Sequence, residues 1–115
     1  YVVSPSPKNV TRVVGNIFDL REERMMLAAD LIFVDTAHRG DFEWEVYSYL
    51  KDSNYKGLAV FDDILWSDAM IEFWSRIDTP KYDITAIGHG TGKGPKGNIS
   101  GTGLVDFGVG IKIER

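Results

Sequence analysis

Apolar and polar positions along the chain fall into short blocks whose period changes several times. Val10 to Val14 is a β-branched run closed by Gly15 and Asn16, the pattern of a strand ending in a turn. Asp19 is followed three residues later by Glu22, a capping-box spacing, and with Glu23 in the first turn this predicts a helix to about Ala29. Leu31 to Val34 is a continuous apolar run with a carboxylate at each end, Asp30 and Asp35, which suits a parallel strand covered on both faces. From Asp41 to Leu50, the residues Phe42, Val46, Tyr49 and Leu50 fall at helical spacing. Glu43, Glu45, Lys51 and Asp52 take the other side, so the pattern predicts a surface helix with one buried face.

Leu58 to Phe61 repeats the earlier strand pattern and stops at Asp62 and Asp63. Ser67 can cap a further helix with Met70, Phe73, Trp74 and Ile77 as its apolar stripe, ended by Thr79 and Pro80. Tyr82 to Ile87 and Leu104 to Ile113 then read as two more strands. The Gly-rich stretch between them is too flexible for a crossover helix, so these two strands are expected to pair as an antiparallel hairpin. Strands alternating with helices in this way predict an α/β fold: part of a doubly wound, Rossmann-like sheet, mostly parallel, with a C-terminal antiparallel hairpin.

Composition narrows the picture. With 115 residues, 43% hydrophobic and 26% charged, the chain has the size of a single α/β domain spanning residues 1–115. Thirteen Lys and Arg against seventeen Asp and Glu give a net charge of −4 with no basic run, which argues against a nucleic-acid partner. No apolar stretch approaches the roughly 18 residues that span a bilayer, so no membrane association is expected. The absence of Cys excludes disulfides and thiolate chemistry and fits a reducing, cytoplasmic setting. The opening Tyr1, followed by Pro5-Ser6-Pro7, reads as a connector, so the expectation is the C-terminal part of a larger domain.

Candidate chemistry sits at the strand ends. In an open parallel sheet, ligands bind outside the carboxyl ends of the strands, where Asp35 and the pair Asp62 and Asp63 fall. Adjacent strands lie about 4.8 Å apart, so neighbouring strand ends would bring these carboxylates onto one divalent ion. All-oxygen ligands suit Mg²⁺. The alternative is that each Asp only caps its loop or turn, the commoner role for any one of them. His38, in the same loop as Asp35, can serve as general base or orient a metal-bound substrate, or be a solvated loop histidine. His89 reads as local structure. Gly92 to Gly97 matches GxGxxG, but no helix follows it, so it is not a dinucleotide motif. Trp44, Trp66 and Trp74 read as core or cleft wall.

The stretch from Asp30 through Asp35 to His38, then Gly57 through Asp62 and Asp63, resembles strands four and five of class I S-adenosylmethionine-dependent methyltransferases. In particular it is similar to small-molecule and sugar O-methyltransferases with D-x-x-H and G-G-x-x-x-x-D-D motifs. Gly88-His89 and Gly101 to Phe107 are similar to that family's final hairpin. The resemblance implies the strand order 3-2-1-4-5-7-6, with Mg²⁺ held by Asp35, Asp62 and Asp63. It also implies catalysis by His38 with Asp35, and S-adenosylmethionine beside Asn16 and Asp35. Strands one and two of the family, which carry its main cofactor contacts, have no counterpart here. They leave an expected partner, either a missing N-terminal segment or a second copy, besides the small-molecule or sugar acceptor. The competing expectation is a non-catalytic α/β binding or scaffolding module that has lost the cofactor half. A phosphoacceptor receiver domain fits less well, because its acidic pair precedes the single Asp.

Overall fold

A computed structural model describes residues 8–10, 14–18, 26–88 and 99–113. Residues 11–13 of the expected strand at Val10 to Val14, most of the expected helix from Asp19, His89 and the Gly92 to Gly97 stretch lie outside these residues, while Met26–Ala28 is a single 3₁₀ turn. The regular elements then follow as β1 (Leu31–Val34), α1 (Asp41–Asp52), β2 (Leu58–Asp62), α2 (Asp68–Arg76), β3 (Lys81–Asp83), a one-turn α3 (Thr85–Gly88) and β4 (Thr102–Asp106). They build an α/β structure on one open, mixed four-stranded sheet of order β1-β2-β4-β3. β1 and β2 are parallel, whereas β4 runs antiparallel to both β2 and β3. The expectation of a mostly parallel sheet is thereby corrected to one parallel pair in three. The last strand enters between its predecessors, and antiparallel pairs follow.

The register puts Ile32, Val34, Ala59, Phe61, Gly103 and Val105 on one face of the sheet. This face carries the core, in which Val34, Ala59, Phe61 and Val105 pack with Val46, Tyr47 and Leu50 of α1 and Met70 and Phe73 of α2. Gly103 is required there: a Cβ would lie 2.5 Å from the Trp74 ring that covers it. α2 starts as expected, with the Ser67 hydroxyl accepting from the Met70 N–H at 3.3 Å, and Asp68 and Arg76 oppose its dipole at the two ends.

Four further expectations change, the first being that β1 is covered on one face only, with Leu31 and Phe33 exposed on the other. The stripe that α1 buries is Glu43, Val46, Tyr47 and Leu50, so Glu43 belongs to the inner face and not to the solvent side. The strand expected over Tyr82 to Ile87 ends at Asp83, because the Asp83 carboxylate accepts from the Thr85 N–H at 3.0 Å and turns the chain into α3. The strand expected to run to Ile113 ends at Asp106. That buried carboxylate accepts the N–H groups of Gly108, Val109, Gly110 and Ile111 at 2.7–3.0 Å, which curls the chain out of the sheet. Among the described residues, no helix is long and apolar enough to cross a membrane.

Candidate metal centre

Because β1 and β2 are adjacent, parallel and in register from Leu31 against Leu58, their carboxyl ends open side by side. Asp35 leaves the first, and Asp62 with Asp63 closes the second. The loop from Thr36 to Gly40 carries His38 back toward Asp63, and the two side chains meet with Nε2 3.0 Å from Oδ2. Asp35, His38 and Asp63 each offer one ligand atom, all within 4.8 Å of one another. Ligands about 2.1 Å from a shared ion stand roughly 3–4 Å apart, so only a small contraction separates this group from a coordination shell. Asp35 is exposed, His38 is half-buried and Asp63 is buried, which leaves the outer side open to solvent.

Backbone geometry marks the same residues. Among the described residues, the non-glycine positions with positive φ are His38 at 58°, Asp63 at 60° and Asn54 at 65°. Asn, Asp and His enter this left-handed region more readily than other non-glycine residues, yet it remains an uncommon conformation with a modest cost. Such strain persists only where the surroundings impose it, and it concentrates at functional sites. The imposing contacts are visible on both sides. Asp63 N–H donates to the Gly101 carbonyl at 2.9 Å and Leu65 N–H to Ser100 at 2.7 Å, so the β2 loop is stitched to the chain entering β4. On the β1 side the stitching is done by a side chain. Glu43, 2% exposed, accepts from the backbone N–H groups of Gly40 at 2.7 Å and His38 at 3.0 Å and from the Thr36 hydroxyl.

The electrostatics fit a site that wants a cation. Burial first, then the charges of Asp63 and Asp35, push the Asp62 carboxyl above the usual carboxylate range. Asp62 itself is not in the three-residue group, although its pKa registers both neighbours. Glu43 behaves in the opposite sense. Burial would raise it, but the hydrogen bonds from Thr36, Gly40 and His38 outweigh that and hold it below its ordinary value.

No known family, curated protein or solved structure matches the chain. The case for any function therefore rests on the geometry.

Among the described residues, the two positions expected beside a cofactor, Asn16 and Asp35, line one cavity of about 540 Å³ along β1, with Ile32, Val34, Phe42 and Val46 among its apolar walls. That volume lies in the range of small-ligand sites. Trp66, expected as core or cleft wall, packs its ring 5.1 Å from the His38 imidazole. Glu43 is the site residue that sequence reasoning missed. Its signal was a Glu in the first turn of a helix, at i−3 and i−4 from two large apolar residues, Val46 and Tyr47.

Proposed function

We propose that the chain is the acceptor-side part of a metal-assisted, S-adenosylmethionine-dependent O-methyltransferase acting on a small-molecule or sugar hydroxyl. The observation that carries this reading is the sheet order. Taken in sequence, β1, β2, β3 and β4 lie as β1-β2-β4-β3, with β4 alone reversed against its neighbours, and the family resemblance implies 4-5-7-6 for its last four strands. The acidic strand ends then stand where that resemblance puts the metal.

The donor set fits a divalent ion, with two carboxylates and one imidazole gathered on an open rim. Imidazole shifts preference from Mg²⁺ toward first-row ions, and Mn²⁺ accepts both donor types. When bound, such an ion supplies acidity to a coordinated hydroxyl, and the sulfonium cofactor supplies the methyl group. The protein's own part is orientation. Asp35 and Asp63 would hold such an ion with His38 as the third donor, and the Asp62 carboxyl, pushed up in the metal-free chain by burial and by Asp63 and Asp35, lies beside them. His38 thus moves from the expected general base to a ligand.

Cofactor binding is tested by following backbone amide resonances during titration with S-adenosylhomocysteine. Weak binding is expected, with shifts confined to Gly15, Asn16 and the Val34 to Thr36 segment and removed by Asn16→Ala. No shift at millimolar concentration, alongside a working cation site, would leave a metal-binding module in place of a transferase.

A further inference from the structure

The side chain that shapes the His38 loop comes from outside the loop. Glu43 lies at the third position of α1, a twelve-residue helix packed into the core, so its carboxylate is carried by a core helix and not by the loop it contacts. Both oxygens are engaged. Oε1 accepts from the Gly40 N–H, and Oε2 accepts from the His38 N–H and the Thr36 hydroxyl. The donors come from residues 36, 38 and 40, so the loop coils around one buried charge, and such a charge is tolerated inside only when its lone pairs are satisfied. Gly40 completes the wrap. It holds φ 85°, and a Cβ there would meet the Ala69 carbonyl oxygen at 2.7 Å.

An ordinary helix cap explains the Gly40 contact alone. It does not explain the two contacts further out, on Thr36 and on His38 itself. The His38 contact grips the residue whose left-handed backbone turns the imidazole onto Asp63 and Trp66. We propose that Glu43 is the positioning residue of this site: it holds the Thr36 to Gly40 loop so that the His38 imidazole stands as the third donor beside Asp35 and Asp63. The proposal rests on the cation-site reading for its purpose, but its geometry is testable without any ion.

The test compares wild type, Glu43→Gln, His38→Ala and the double variant. Gln keeps the size of Glu but turns an amide donor toward three donors, so at least one contact is lost. In the metal-free proteins, proton NMR should show cross-peaks between the His38 ring and the Trp66 indole in wild type and their loss in Glu43→Gln, with the Phe73 and Trp74 core signals retained. Titration with MnCl₂ should show an affinity about tenfold or more lower for Glu43→Gln, as for groups that orient metal ligands. That loss should vanish in the His38→Ala background, because Glu43 acts through His38. If Glu43→Gln does not fold, Thr36→Val removes one donor without touching α1 and should move both readouts less far in the same direction. Cross-peaks that survive in a folded Glu43→Gln protein, or equal Mn²⁺ losses with and without His38, would overturn the proposal. A wild type that binds no Mn²⁺ yet loses the cross-peaks on substitution would remove the cation reading and keep Glu43 as the loop's holder.

Discussion

The loop after β1 and the loop after β2 bring acidic residues to the same rim, but they are held by different forces. The β2 loop is tied by main-chain hydrogen bonds, Asp63 to Gly101 and Leu65 to Ser100, which do not depend on the charge of any side chain. The β1 loop depends on one ionised side chain, Glu43. One wall of the site is therefore set by topology and the other by a single titratable group. The first should be robust to sequence change and sensitive to backbone geometry. The second should respond to charge and pH.

The largest effect should come from disturbing the backbone-held wall. Gly101 sits at φ 78°, and a Cβ there would come within 2.8 Å of Leu65 Cγ. Gly101→Ala is expected to cost roughly 1–3 kcal/mol in urea unfolding, with no dependence on pH between 5 and 8. A cost that tracked pH would show that the β2 loop is not held by its backbone.

Acid should open the other wall selectively. Because Glu43 is held below its ordinary value of 4.5 in the folded chain, its contribution to stability is complete above that value. It is lost as the pH falls through the lowered one. Amide exchange at His38 and Gly40 should therefore accelerate in the acid limb before exchange at Asp63 and Leu65 does. Simultaneous release of both segments would erase the distinction between the two loops.

The smallest effect concerns Asp62. Its raised pKa means that the ionised form is disfavoured by folding, so its stabilising contribution is present below the ordinary carboxylate pKa and is lost as pH rises through the raised one. At neutral pH, Asp62→Asn is expected to raise the melting temperature of the metal-free protein slightly, while weakening the site for a cation. A lowered melting temperature would mean that Asp62 serves the fold and not the site.

Much of this arrangement was legible in the chain itself. Leu31 to Val34 and Leu58 to Phe61 announce themselves as strands because both are short apolar runs stopped by aspartate, and the helix that follows each carries an apolar stripe, the second with its Ser67 cap. The acidic rim follows from those two endings. What stayed hidden depends on contacts far apart in sequence. Its charge assigns Glu43 to water although its spacing from Val46, Tyr47 and Leu50 puts it on the buried stripe, since only the folded loop supplies the three donors that make its burial tolerable. Asp106 likewise looks like a residue within a long strand until its carboxylate is seen gathering four N–H groups from the following turn. The His38 to Asp63 contact has the same origin, because it joins two loops and needs a left-handed backbone at both residues.

Whether Asp35, His38 and Asp63 form one cation site is decided by electron paramagnetic resonance of Mn²⁺ titrated into the 115-residue chain. Wild type should remove the six-line signal of free Mn²⁺ at one ion per chain, and Asp35→Asn with Asp63→Asn should restore the free signal, with affinity down by about 100-fold or more. An undiminished free-ion signal with wild type, or equal binding by wild type and the double variant, would contradict the account.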